Sequence, residues 1–467
     1  MEFNAVMEKY FLPEKINTKW LVEMAVSLIA PLLILALRPI GLDTRQSIVV
    51  AGVLLAIIWW SSGIVKKIPA SIFLVLVFCF ASGAGMKTVF SFPLSETFPM
   101  IIITYLFSQA ISNSGLIDKI FEPLLLRFVH TPVECLVAMT ILFYLTMYVI
   151  PQPLARLIIV AAMFDEFLRR TTLPDGTRAV LMYAVFLMEA VVNMSAKDAD
   201  MIMNHVAAGF SEIPISNGMW MKYMLPPTLV CCVLVMILFS ILFRRDMLGH
   251  RIELKAKADE SPVPLNRQQK IALVIIAATV ILWMTNSIHG INNTLITIAA
   301  TLLLFGIRIL HREDLRTIDI TTLIFLTAAF AIGGVMKACG AADKVFGLLT
   351  GIFPAQFGIG YLMLMVLVSM LLHMMLGSNT TTLSVVVPGM MILCGDIVSS
   401  PVIVFTAIVS VSFHAILPFH SVSMMIGASN GYFPSKHVTR MGIPATFLVY
   451  AAAVCVFLPY WKLMGLL

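Results

Sequence analysis

The sequence predicts an all-α polytopic membrane protein with about eleven transmembrane helices and two re-entrant hairpins arranged as an inverted repeat. Three observations lead there: a very apolar composition, apolar runs of bilayer-spanning length, and two such runs broken in the middle. The chain has 467 residues, 60% hydrophobic and only 12% charged, more apolar surface than a soluble core can bury. The runs are continuous and about 20 residues long, the length a helix needs to cross hydrocarbon; a membrane β-barrel would show short alternating strands instead. The formal charge of +6 sits in Lys and Arg clusters just outside these runs. It therefore reports topology and not a nucleic-acid partner.

Taken in order, spans are expected near 20–38, 47–64, 69–88, 98–115, 178–208, 222–243, 271–288, 292–309, 319–338, 403–432 and 443–463. The first 19 residues carry Glu2, Glu8, Lys9, Glu14, Lys15 and Lys19 and lack the apolar core and cleavage site of a signal peptide, so the N-terminus is expected to be retained. With that terminus inside, Lys66 and Lys67, Arg127 and His130, Arg169 and Arg170, Arg244 and Arg245, Arg308 and Arg312, and Lys436 and Arg440 share the cytoplasmic face, as basic loops do. The expected location is the cell inner (plasma) membrane, multi-pass, in contact with lipid. Cys79, Cys135, Cys231, Cys232, Cys339, Cys394 and Cys455 show no metal-type spacing and read as small packing residues. No phosphate loop, nucleophile elbow or metalloprotease motif occurs, which argues against an enzyme and against an ATP-driven pump.

The two remaining apolar stretches, 134–168 and 358–398, are interrupted by "PQP" at 151–153 and "GSNTTT" at 377–382. Each has the shape of a hairpin that enters and leaves on one side. The chain then divides into a first repeat (1–243) whose hairpin opens to the cytoplasm, a polar linker (244–270), and a second repeat (271–467) whose hairpin opens outward. Inverted repeats with broken elements mark secondary transporters. A local echo supports the pairing: 105–125 and 325–349 share an apolar run, a glycine turn, Asp118 or Asp343, and Lys119 or Lys344.

Irregular backbone at membrane depth persists only where its polar groups find partners in protein or a wet cavity. The Ser378, Asn379, Thr380, Thr381 tip can therefore present a helix N-terminus, hydroxyls and an amide to an anion or a hard cation. The other reading is that these side chains satisfy carbonyls of neighbouring helices. Both stay open on sequence grounds.

On the strength of "SNTTT" at 378–382 with Pro388, and of "LPFHSVSMMIGASNGYF" at 417–433, the chain resembles the divalent anion/sodium symporter family. The second stretch keeps Leu417, Pro418, Ser421, Gly427, Ser429 and Gly431. The resemblance implies an elevator-type secondary carrier of small organic anions, di- or tricarboxylates, working as a homodimer in which one transport domain carries both hairpins. It implies substrate contacts from Ser378, Asn379, Thr380, Thr381, Ser421 and Ser423, and ion contacts from Ser378, Asn379, Pro418 and Gly427; Gln152 and Arg156 are added as substrate contacts on the chemistry of their own amide and guanidinium. Sodium is the only implied cofactor-like ion.

The first half departs from this pattern. Pro151, Gln152 and Pro153 stand where the family has Ser-Asn-Thr, and the following element reads "MEAVVNMSAKDADMIMNH" at 188–205. Charge replaces hydroxyls, with Arg156 beside the tip and Glu189, Lys197, Asp198 and Asp200 beyond it. Intramembrane charges mark pathways or buried pairs. The expectations are that Arg156 contacts a substrate carboxylate, that sodium coupling is reduced or absent with exchange favoured, and that Lys197, Asp198 and Asp200 either form a mutual ion cluster or, with Glu189 and His420, carry coupled protons. His373 and His414 read as packing residues. The rival readings are a proton-coupled or cation/proton exchanger, and a non-transporting sensor or complex subunit.

Overall fold

Inside hydrocarbon a helix is the only segment that satisfies its own N–H and C=O groups, and the long apolar runs fold accordingly, with no strand among the described residues. The structure, a computed structural model, describes residues 17–467 apart from 96, 117, 118, 120–124, 126, 254–263, 286–288, 348, 349 and 377. Glu2, Glu8, Lys9, Glu14 and Lys15, the Asp118 of the local echo, the middle of the 244–270 linker and Gly377 of the second tip lie outside that set. Among the described residues five helices are long and apolar enough to cross a membrane: Thr18–Leu37, Asp175–Ser195, Asn217–Leu242, Arg312–Ala338 and Ser435–Leu463. Shorter apolar helices occupy most of the other expected spans.

Two compact units gather interleaved parts of the chain instead of following its two halves. The first comprises Met1–Phe98, Val206–Pro214 and Asp319–Val411; the second comprises Pro99–His205, Ile215–Ile318 and Ser412–Leu467. The stretch 134–168, expected as the first hairpin, thus lies in the second unit, and 358–398, expected as the second, lies in the first.

In the first unit, helices Thr44–Ser62, Lys67–Ala81 and Ile320–Ala338 pack together, and Asn379–Cys394 lies against the last of them. Trp60 meets Phe325 edge to face at 4.9 Å and donates its indole N–H to Ser71 Oγ at 3.1 Å. Helix Thr18–Leu37 contrasts with these: it buries only 11% of its apolar window, so its outer side is available to lipid.

In the second unit the centre is Asp175–Ser195, 83% buried over its apolar window. A helix apolar on all sides belongs inside other helices, and both arms of the first hairpin, Pro132–Thr146 and Pro153–Arg169, pack against it together with Asn217–Leu242. Sequence explains the hairpin's ends. Thr131 and Glu134 form a reciprocal capping box at the first arm, with Pro132 in the first turn. Gln152 caps the second arm by accepting from the Ala155 N–H, and Pro153 follows at the first helical position, where its missing N–H costs nothing.

After Val192 the central element breaks into two short turns, Asn193–Ser195 and Lys197–Ala199, before helix Met203–Gly209. Side chains meet the freed backbone groups. Asn204 Nδ2 donates to Asn193 O at 2.7 Å and to Ala196 O at 2.9 Å, and Trp220 Nε1 donates to Met194 O at 2.9 Å. The Lys197 N–H goes to Asn217 Oδ1 at 3.0 Å, and Asp200 Oδ1 accepts from the N–H groups of Ile202 and Met203. A second break, near 413–421, lies against the Ser435–Ala452 helix at Gly442, where any Cβ would run into the Ala415 carbonyl and sit 2.6 Å from Ile416 Cα.

Two outcomes follow from these contacts. Asn204→Ala should lower stability by about 2–6 kcal/mol, because two buried carbonyls lose their donor at about 1–3 kcal/mol each; thermal unfolding of purified protein reads it, and a shift no larger than a surface substitution gives would contradict the assignment. Gly442→Leu should prevent accumulation of folded, monodisperse protein, since the obstruction is backbone and cannot rotate away, whereas wild-type yield would refute the close approach.

Candidate functional site

The candidate residues fall into three clusters, one in the first unit and two in the second. In the first unit, helix Ile359–Leu376 ends before Ser378, and helix Asn379–Cys394 begins at once. The polar stretch is therefore mainly the first turn of a helix, with only its start in the break. Ser378 is the N-cap, its Oγ accepting from the Thr381 N–H at 3.5 Å, which is the role serine performs best at a helix start. Thr382 Oγ1 donates to Ser378 O at 2.8 Å, and Ser384 Oγ to Thr380 O at 2.8 Å. Two oxygens differ: Asn379 Oδ1 and Thr381 Oγ1 are buried and have no hydrogen-bond partner among the described residues. His373, read from sequence as a packing residue, stands 3.2 Å from Thr382 Oγ1 through Nδ1 and so joins the tip cluster.

The second cluster is the tip of the first hairpin and the break after Val192. Arg156 is 0% exposed. Its Nη1 donates to Ile150 O at 2.9 Å, and its Nη2 faces Ala199 O at 2.8 Å, Glu189 Oε1 at 3.3 Å and Asn193 Oδ1. Glu189 Oε1 also accepts from Asn193 Nδ2 at 2.6 Å. Both terminal nitrogens thus bond protein oxygens, and the guanidinium fork is turned inward, unlike the open fork that contact with a substrate carboxylate would use. The reason is burial: a cation removed from water must find acceptors nearby, and the tip and the break expose carbonyls that need donors. Gln152 is committed as well, its side-chain oxygen capping the arm and its N–H 3.4 Å from Ser108 Oγ.

The charges beyond the break partner other groups, where a mutual ion cluster had been one expectation. Lys197 Nζ donates to Ile215 O at 3.0 Å, Asp200 caps backbone N–H groups, and Asp198 Oδ1 lies 3.3 Å from His205 Nε2. Among the described residues no group of three or more His, Cys, Asp or Glu side chains comes together as a metal site.

The third cluster is the second break. Pro418 opens the short turn Pro418–His420, Ser421 is buried at the start of helix Val422–Ser429, and Ser423 is half-buried within it. His420 is buried, its Nδ1 facing the N–H groups of Ile416 and Leu417 at 3.4 Å. Gly427 leaves room for two rings: a Cβ there would come within 2.9 Å of Phe186 and closer still to Phe433.

Asn193, Asn204 and His205 are the residues that sequence reasoning missed. A signal existed for the first: Glu189 and Asn193 are four residues apart at the end of an otherwise apolar helix, hence on one face. Asn204 and His205 carried no local signal.

Comparisons now place this architecture. No curated protein matches the chain. A crystal structure of the YdaH transporter from Alcanivorax borkumensis, described as revealing an unusual topology, has a similar fold: TM-score 0.56 and 13% identity, with 88% of this chain and 98% of that one covered. Residues 17–467 match the family described as the sodium:sulfate symporter transmembrane region; the chain belongs to that family of membrane transporters.

Proposed function

We propose that the protein is a secondary-active carrier of small organic anions, di- or tricarboxylates, with reduced or absent sodium coupling and a preference for exchange. The observation that carries this reading is the second tip, where a Ser378-capped helix N-terminus stands beside the buried, unpartnered Asn379 Oδ1 and Thr381 Oγ1. Free main-chain N–H groups at such an end favour an anion, and amide or hydroxyl oxygens favour a hard cation. The tip can hold an anion and its counter-ion together. On this proposal Ser378, Asn379, Thr380 and Thr381 bind substrate, and Pro418 and Gly427 shape the second break, where Ser421 and Ser423 stand. Gln152 and Arg156 act by holding the first tip.

Sulfate is the second reading of the substrate, because the family's description names it. The proposed reduction in sodium coupling rests on the first tip, where Glu189 balances the charge of Arg156 within the protein. Homodimer formation, elevator-type movement, a cytoplasmic N-terminus and a plasma-membrane location belong to the same proposal and rest on the resemblance and on the basic loops. The Asp198–His205 contact supports proton coupling as the rival.

The reading is tested by ligand-dependent thermal stability of the purified protein followed by flux in proteoliposomes. A di- or tricarboxylate, or sulfate, should raise the unfolding temperature as a ligand of the folded state does, and stabilisation by none of them would defeat the proposal. Asn379→Ala should weaken that ligand by about 5- to 150-fold, the equivalent of one lost buried hydrogen bond at about 1–3 kcal/mol, with expression unchanged; undiminished binding would return the tip to a purely structural role. Liposomes loaded with unlabelled anion should take up label faster than empty ones, and replacing Na+ by choline should change uptake little. A steep multi-ion sodium dependence, or uptake that follows an imposed pH gradient alone, would select the rivals.

A further inference from the structure

We infer that the first hairpin encloses an oxygen-lined cation site filled permanently by the guanidinium of Arg156, so that the hairpin is tied to the break after Val192 without any dissociable ion. Four oxygens from three parts of the second unit converge on this one group: Ile150 O at the hairpin tip, Glu189 Oε1 and Asn193 Oδ1 at the end of the central helix, and Ala199 O in the break. Two backbone carbonyls, an amide oxygen and a carboxylate oxygen are the donor set that a hard cation takes. Here the guanidinium faces all four, Nη1 donating to Ile150 O and Nη2 lying within reach of the other three.

Arg156 and Glu189 are 0% and 3% exposed as side chains and offset each other's charge, while the buried Asp200 carboxylate nearby is turned to the N–H groups of Ile202 and Met203. The location is otherwise unfavourable for a cation, since Arg156 lies in the first turn of helix Pro153–Arg169, where the helix dipole repels positive charge. Its presence there is explained by the acceptors. Arg156 is in this sense a positioning residue: it fixes the tip through Ile150 and the break through Ala199, and a planar fork reaches both where an ammonium would reach fewer.

Removing the guanidinium leaves a buried carboxylate facing carbonyl oxygens, which is a vacant site for a small cation. The consequence for reduced sodium coupling rests on the proposed transport function, but the ion site itself does not. It is tested by stability alone, so a failure of the transport reading would leave the comparison intact.

The experiment measures thermal unfolding of the full-length purified protein in NaCl, KCl or choline chloride at equal ionic strength. The wild-type shift between sodium and choline, whatever its size, is the baseline. Arg156→Ala should be less stable in choline and should gain an additional stabilisation by Na+ or K+ beyond that baseline. Low-millimolar guanidinium should restore part of the loss, with urea at the same concentration as control. Adding Glu189→Gln to Arg156→Ala should abolish the gained ion response, because the carboxylate that recruits the cation is gone. Arg156→Lys should fold with the wild-type baseline. Should Arg156→Ala not accumulate, Arg156→Gln carries the same comparison. A neutral variant at position 156 that responds to Na+, K+ and guanidinium no more than wild type would overturn the inference, as would an ion response that survives Glu189→Gln.

Discussion

An interrupted helix in apolar surroundings strands carbonyl oxygens that neither its own backbone nor the solvent satisfies, and the second unit is organised around meeting that demand. Arg156, Asn204 and Trp220 come from three different helices, yet each sends its donors to backbone oxygens at the first tip or the break after Val192. The break costs little as long as these donors hold their positions. They hold because the central helix is packed on nearly every side, which fixes Glu189 and Asn193, and these in turn orient the guanidinium. Packing and polarity are thus parts of one arrangement: burial makes the polar contacts strong, and the polar contacts make the burial tolerable.

The two hairpin tips solve this problem with different chemistry. At the second, short side chains bond locally: Ser378 caps its own helix, and Thr382 and Ser384 return their hydroxyls to carbonyls one turn back. Nothing there brings a formal charge, and two side-chain oxygens are left over. At the first, a formal charge pair takes up the acceptors from three segments. The first tip thus spends its carbonyls on Arg156, while the second keeps two acceptor oxygens, Asn379 Oδ1 and Thr381 Oγ1, without a partner among the described residues.

Much of the fold could be read from the residues because apolar length and helical satisfaction are local properties. The runs near 20–38, 222–243 and 443–463 each correspond to a helix, and Pro153 and Ser378 mark helix starts for reasons contained in their own side chains. The family, too, was legible, since "SNTTT" and "LPFHSVS" are short contiguous patterns. The tips were located less well. "PQP" was taken as the middle of the first turn, whereas the break runs from Met147 to Gln152 and Pro153 already belongs to the next helix. Four of the five polar residues in "SNTTT" are helical.

The sequence by itself determined that the chain is helical, membrane-embedded and interrupted within two of its apolar stretches, because hydropathy, proline geometry and capping act over a few neighbouring residues. Only the tertiary structure decided what the charges do. Arg156 looked like a group waiting for a carboxylate; its partners lie 33, 37 and 43 residues along the chain, and no local pattern states whether such distant acceptors will converge. The same holds for Lys197, Asp198 and Asp200, adjacent in sequence yet directed to Ile215, His205 and backbone amides respectively. A buried charge takes the nearest acceptor in space, and which acceptor is nearest is set by how helices pack, not by the order of residues.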